Sequence, residues 1–161
     1  LKDVPSKITQ ESLCNTISTI HNELEKKFKI PSPKITVTGL NPHCGEDGEF
    51  GDEEIKVIKP AISKMQELGI AISGPIPSDT AFTPKEIKKT DCYLAMYHDQ
   101  GLAPFKALTF GKGVNVTLGL PIIRTSVDHG TGLDIAGSTK IDSSSFFESI
   151  KLAISLAKNQ Y

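Results

Sequence analysis

The chain has 161 residues, 38% apolar and 23% charged, enough to bury a core of its own and too apolar for a disordered chain. Its 18 Lys and Arg against 19 Asp and Glu leave a net charge of −1, with no basic surplus for a nucleic-acid backbone or an anionic membrane. No apolar run reaches the roughly 18 residues a transmembrane helix needs, and three cysteines at unrelated spacings (Cys14, Cys44, Cys92) suit a reducing, cytoplasmic compartment better than a disulfide scaffold. The opening Leu1-Lys2-Asp3 has neither an initiator Met nor a signal peptide's apolar core, and reads as part of a longer chain.

Residues 7–28 predict an amphipathic helix, with Leu13, Ile17, Ile20, Leu24 and Phe28 on one face and His21 on the polar surface. Pro31 and Pro33 stop it, and Lys34 to Thr38 reads as a strand. Asn41 to Gly51 is a polar, glycine-bearing loop. A second helix is expected from Asp52 to Leu68, its stripe being Ile55, Ile58, Ile62 and Met65, with a kink or break at Pro60 and an end at Gly69. Ile70 to Ser73 reads as a short strand, Gly74 to Asp79 as a loop, and Cys92 to Tyr97 as a buried strand. Val114 to Leu118 and Ile122 to Val127 predict two strands about the Gly119 turn. Asp142 to Lys158 predicts a last helix, with Phe146, Ile150, Ala153, Ile154 and Ala157 inward. Helices alternating with short buried strands imply an α/β sheet covered on both faces.

Polar residues that resist a core explanation cluster in the loops after these strands, where open α/β sheets hold their ligands. They are Asn41 to Gly48, Tyr97 to Gly101, and Ile123 to Gly132 running on to Gly137. His43 and His98 leave separate strand ends. Two neutral imidazoles brought together there would bind a divalent metal, while the alternative is a pair of loop histidines bonded to backbone. Cys44 is either a soft ligand or a small buried hydrophobe. Lys106 and Arg124, embedded in apolar runs, suit an anionic small substrate, and Asn115 could donate to the same ligand. Lys112 reads as a solvated charge. Gly130-Thr131-Gly132 suggests close backbone approach by a ligand, without the GxGxxG of a Rossmann site.

These motifs carry a resemblance. NPHCGEDGEFGDEE, GPIPSDTAF, AMYHDQGLAPFK, GVNVTLGLPIIRTSVDHGTGLDIAG and the opening LKDV closely resemble the 4-hydroxythreonine-4-phosphate dehydrogenase family of pyridoxal phosphate biosynthesis, in order and over essentially the whole chain. HGTGLDIAG also looks like the adenosine-binding loop of isocitrate and isopropylmalate dehydrogenases. The resemblance implies an α/β/α sandwich of the isocitrate/isopropylmalate dehydrogenase type, with a metal and substrate region over about 1–125 and a cofactor loop and last helix over about 126–161. It implies NAD- or NADP-dependent oxidation of the secondary alcohol of 4-phosphohydroxy-L-threonine, then decarboxylation to 3-amino-2-oxopropyl phosphate. By the same resemblance His43 and His98 match two of three metal-ligating histidines, for zinc, magnesium or cobalt. Lys106, Asn115 and Arg124 match substrate-binding positions, and Asp79 a polar position beside the site, as proton acceptor or metal neighbour. His129, Gly130, Thr131, Gly132 and Asp134 match the cofactor loop.

The family's third metal histidine, its N-terminal half and an upstream His-Thr substrate pair are absent from this sequence. The family completes its site across a homodimer, so this segment alone is not expected to turn over substrate. Two further readings stand beside this one. One is a paralogue oxidising threonate or erythronate 4-phosphate; the other is a non-catalytic metal-binding or dimerisation remnant.

Overall fold

The computed structural model describes residues 1–109, 111–130, 132–133, 136–137 and 142–160. A parallel sheet has β1 (Ile35–Thr38) at its centre, between β2 (Ile72–Ile76) and β3 (Cys92–Leu94). Ile35 lies opposite Ile72 on one side and Cys92 on the other. The alternation of a strand gives β1 two different faces. Ile35 and Val37 point into the apolar core, and Thr36 and Thr38 point the other way; all four are buried.

The apolar face is covered by α2 (Gln10–Lys26) and α3 (Lys59–Glu67). Leu13, Ile17, Ile20 and Leu24 of α2 meet Ile58, Ala61, Ile62 and Met65 over Ile35, Val37 and Ile72, as their spacing predicts. Ahead of α2, a short turn of helix forms α1 (Val4–Lys7). Thr9 starts α2 with a reciprocal cap, its hydroxyl accepting from the Ser12 N–H at 3.1 Å while the Ser12 hydroxyl accepts from the Thr9 N–H at 3.0 Å. His21 departs from its expected surface position: it is half-buried, and its Nδ1 is sequestered with no hydrogen-bond partner among the described residues.

The second helix shows the break expected near Pro60, in an unexpected form. Residues Glu54–Ile58 make a widened π-type turn, in which the Lys59 N–H reaches back to the Glu54 carbonyl, before α3 begins. Pro60 has no N–H to return to the Lys56 carbonyl, and the wider turn accommodates that loss. It also shifts the phase of the helix. Glu54 turns fully inward and Ile55, predicted in the core stripe, is 45% exposed.

β2 runs on through Gly74 and Pro75 to Ile76, where a loop was expected, because the Gly39 N–H bonds the Ile76 carbonyl at 2.9 Å and prolongs the pairing. β3 is shorter than its apolar run and only half-buried, since it is paired on one edge alone. The threonine face of the sheet is covered by α4 (Ser78–Ala81), the adjoining α5 (Pro84–Ile87) and the start of α6 (His98–Thr109). Tyr93, beside Thr36 on that face, donates from its hydroxyl to the Ala81 carbonyl at 2.7 Å and stacks on Phe82. α6 has no counterpart among the predicted elements, because Gly101 and Pro104 inside it lower its local helix preference.

β4 (Val114–Val116) and β5 (Thr125–Val127) form the antiparallel pair expected about Gly119. The last helix, α7 (Ser144–Gln160), packs on this pair with a different face from the predicted one. It buries Ser145, Ser149 and Leu156, while Phe146, Ile150 and Ile154 are 55%, 40% and 51% exposed. Small side chains allow the close approach, in which Thr125 donates to the Ser149 carbonyl at 3.0 Å. Among the described residues no helix is long and apolar enough to cross a membrane, and Cys14, Cys44 and Cys92 are free thiols.

Ile17 is wholly enclosed in the core, so Ile17→Ala should cost roughly 2–5 kcal/mol. Thr9→Ala removes only a helix cap and should cost about 1 kcal/mol. Urea unfolding of both variants measures the difference; equal losses would place the main support of α2 in its cap.

Candidate functional site

Three loops leave the carboxyl ends of the three parallel strands, as the sequence predicts. The loop after β1 carries His43, the turn after β2 carries Asp79, and α6, after β3, begins with His98. A cavity of about 270 Å³ opens between the first two, lined by Leu40, Asn41, His43, Ser78, Asp79 and Tyr97. His98 stands one residue beyond Tyr97, outside that lining.

The loop after β1 has an unusual backbone. His43, Cys44, Gly45, Glu46 and Asp47 all have positive φ, a left-handed turn inside the segment Pro42–Gly48. Residues other than glycine adopt this conformation only at a cost of roughly 1–2 kcal/mol each. Glu54 holds the turn in place. Its buried carboxylate accepts from the Leu40 N–H at 2.7 Å, the Asn41 N–H at 2.8 Å and the Asn41 amide at 2.9 Å. Glu53 accepts from the same Asn41 amide at 2.7 Å. Gly45 has φ 85° and packs so closely that a Cβ would lie 2.5 Å from the Gly51 carbonyl oxygen.

Each histidine has one ring nitrogen engaged by a carboxylate. His43 Nδ1 pairs with Glu46, and His98 Nδ1 lies 2.7 Å from Asp99. The hydrogen bond from Glu46, reinforced by its charge, holds the His43 imidazole above its ordinary pKa. Among the described residues neither Nε2 has a hydrogen-bond partner, the arrangement in which metal-binding histidines are commonly oriented. The donor chemistry therefore fits a divalent cation. The set is nonetheless incomplete: among the described residues no three His, Cys, Asp or Glu side chains gather around one point. Burial first and then the Glu54 charge push the Cys44 thiol pKa up, which disfavours a thiolate there.

A second group of residues lies between α6, the β4–β5 pair and α7. Lys106 donates to the Asp128 carbonyl at 2.7 Å and reaches its carboxylate at 3.2 Å. They line a cavity of about 180 Å³ with Gly111, Gly113, His129 and Ser145. Asn115 lines an adjoining space of about 320 Å³, in which Asp128 also takes part. Asp128 thus borders both spaces and bonds Lys106, while Asn115 lines the second one. Arg124 lines neither space and donates to the Thr117 hydroxyl at 2.8 Å from an exposed position. His129 Nδ1 sits 2.9 Å from the Gly130 carbonyl, and Gly132 has positive φ. Thr131 and Asp134 lie outside the described residues.

Sequence reasoning gave no site role to Gln100, Glu46, Asp99 or Asp128, and read Glu54 only as a first-turn carboxylate favouring the helix dipole. Glu54 is explained well enough as a first-turn acid, and only its inward rotation by the widened turn reveals otherwise. The others lie inside the polar clusters, and AMYHDQG offered the one available signal, a polar tripeptide following an apolar run.

Residues 1–153 match the family model described as pyridoxal phosphate biosynthetic protein PdxA. The chain is 53% identical over 157 residues to a 4-hydroxythreonine-4-phosphate dehydrogenase of Cupriavidus pinatubonensis, covering 98% of this chain and 45% of that one. It is 55% identical over 154 residues to the same-named protein of Shewanella frigidimarina, covering 96% and 47%. The crystal structure of 4-hydroxythreonine-4-phosphate dehydrogenase from Klebsiella pneumoniae superposes with a TM-score of 0.86 at 44% identity, over 98% of this chain and 47% of that one. A terephthalate 1,2-cis-dihydrodiol dehydrogenase from Burkholderia xenovorans superposes at 0.75 with 28% identity, over 96% and 49%. The chain belongs to the PdxA family, and it spans about half the length of these relatives.

The hold of Glu54 on the strained turn gives a direct test. Glu54→Gln replaces an acceptor by a donor against N–H groups and should cost about 1.5–3 kcal/mol. Hydrogen exchange at the Leu40 and Asn41 amides should accelerate while exchange within β1 stays slow. Unchanged protection at both amides would show that the turn holds itself.

Proposed function

We propose, from membership of that family, that the complete protein oxidises and decarboxylates 4-phosphohydroxy-L-threonine to 3-amino-2-oxopropyl phosphate in pyridoxal phosphate (vitamin B6) biosynthesis, using NAD or NADP. The observation that carries the site assignment is the matched pair of histidines. Both His43 and His98 have Nδ1 taken by a neighbouring carboxylate and Nε2 left for a metal. Zinc, magnesium or cobalt held there would supply Lewis acidity for the alcohol and ketone oxygens, and NAD(P) would supply the hydride acceptor.

The chain's own residues do the rest. Lys106 and Arg124 hold the anionic ends of the substrate, and Asn115 fixes its orientation, so that the reacting carbon is presented in a near-attack geometry. The hold of Asp128 on Lys106 supports this role, because the ammonium is already placed at a cavity wall. Asp79, on the wall of the His43 cavity, takes the proton released as the alcohol becomes a ketone. His129, Gly130, Thr131, Gly132 and Asp134 receive the cofactor. Residues 1–125 then form the metal and substrate region, and 126–161 the cofactor loop and closing helix. Two imidazoles do not complete a metal site, so its remaining ligands belong to the rest of the protein and to the second subunit of a homodimer. The three free thiols support a cytoplasmic location.

In the complete protein, His98→Ala should lose bound metal and turnover while leaving the fold intact; unchanged metal content by elemental analysis would reject the assignment. Lys106→Ala deletes a charge-assisted contact and should raise KM for the phosphorylated substrate roughly 10–100-fold, with KM for NAD(P) unaltered. A defect confined to the cofactor would remove Lys106 from the substrate site. Assaying threonate and erythronate 4-phosphates beside the hydroxythreonine phosphate separates the paralogue reading, and no turnover of any of the three favours a binding remnant.

A further inference from the structure

We propose that Gln100 is a positioning residue that sets the spacing of the three loops bearing His43, Asp79 and His98; the proposal rests on the metal-site reading above. Gln100 is the one buried residue of α6, 6% exposed, on the first turn of the helix two residues after His98. Its amide makes four hydrogen bonds. Oε1 accepts from the Thr38 hydroxyl and from the Met96 N–H, each at 2.7 Å. Nε2 donates to the Gly39 carbonyl at 2.7 Å and to the Ser78 hydroxyl at 2.6 Å.

The four partners stand at the roots of three different loops. Thr38 and Gly39 end β1, where the chain turns toward His43. Met96 lies between β3 and His98. Ser78 opens α4 and precedes Asp79. One planar group therefore ties all three strand ends together at hydrogen-bond distance. The bonds also fix its orientation, because the Met96 N–H can only donate and the Gly39 carbonyl can only accept. A carboxylate offers no donor for Gly39, and an apolar side chain satisfies none of the four. The apolar core lies on the opposite face of β1, so the amide spaces loops and adds nothing to that core.

The test uses the complete protein and Co²⁺ alone as the probe, read by titration and by its visible absorption spectrum. Gln100→Met keeps the volume and removes every bond. Thr38→Val removes one of the four Gln100 bonds, together with the longer Thr38 contact to the Leu94 carbonyl, and serves as the milder change if Gln100→Met does not fold. Ile62→Val, in the apolar core, is the comparison for simple loss of stability. We expect Gln100→Met to weaken Co²⁺ roughly 10–100-fold, the effect typical of groups that orient metal ligands. Its Co²⁺ spectrum should change and kcat fall, with KM for NAD(P) unchanged. Thr38→Val should shift Co²⁺ affinity the same way by less, and Ile62→Val should lower Tm with no effect on Co²⁺. Wild-type Co²⁺ affinity and spectrum in the folded Gln100 variant, or in Thr38→Val where that is the one that folds, would overturn the proposal while His98→Ala still loses the metal. If His98→Ala also binds Co²⁺ as wild type does, the metal-site reading falls and takes this proposal with it.

Discussion

The parallel sheet, the helices on its faces and the loops at its strand ends are arranged around the four buried residues of β1. As the central strand it is paired on both edges and covered on both faces, so its side chains must satisfy two environments at once. Ile35 and Val37 answer to the helices, where burial of apolar area does the stabilising. Thr36 and Thr38 answer to a polar seam. Thr36 meets the Thr90 hydroxyl at 2.8 Å, and the single hydroxyl proton of Thr38 goes to Gln100 Oε1 at 2.7 Å, with the Leu94 carbonyl as the longer competing acceptor at 3.2 Å. A threonine has the β-branched shape of a strand residue and a hydroxyl that needs a partner. Alternating it with isoleucine and valine gives one strand an oily side and a side that must be hydrogen-bonded.

The site is a consequence of that second side. Loops at strand ends have no apolar core to anchor them, and the segment after β1 is strained besides. Two buried polar groups, Glu54 and Gln100, supply the anchoring. Glu54 gathers N–H donors of the outgoing chain and Gln100 spans the three strand ends. A buried polar group left unpaired costs about 1–3 kcal/mol, so each anchor holds its partners strictly. The geometry is fixed because the alternatives leave atoms unsatisfied, whereas apolar packing tolerates small slides.

What the sequence made legible follows the same division. The faces of α2 and α3 that depend on apolar spacing came through clearly, since Leu13, Ile17, Ile20, Ile58, Ile62 and Met65 repeat with helical periodicity. The polar stretch after β1 that carries His43 came through as well, and the sequence singled out His98, although it opens a helix where a loop was expected; Asp79, in α4, was marked only by the family resemblance. The failures share a cause. Ile55 and Glu54 exchanged roles through a widened turn that no periodicity encodes. α6 was hidden by Gly101 and Pro104. α7 was misoriented because its buried face is made of serines, and a hydrophobic pattern points away from them. The bond from Lys106 to Asp128 depends on tertiary placement of a helix that local sequence does not announce.

The left-handed turn at His43 joins these arguments. A relaxed loop could present an imidazole at many angles, and a long exposed side chain would then lose freedom on binding its ligand. Here the backbone around His43 is confined to a conformation that four of its five residues would not choose alone. The enclosed Gly45, the carboxylate of Glu54 and the packing of Gly39 against Cys44 prevent relaxation. The imidazole, 60% exposed and paired with Glu46 from the same turn, is therefore restricted in the directions it can take. The ordering cost has been met during folding, by burial and hydrogen bonds that lie away from the cavity. Such separation lets the apolar core beneath β1 change without disturbing the turn, whereas a change at Glu54 reaches the imidazole through two backbone N–H bonds.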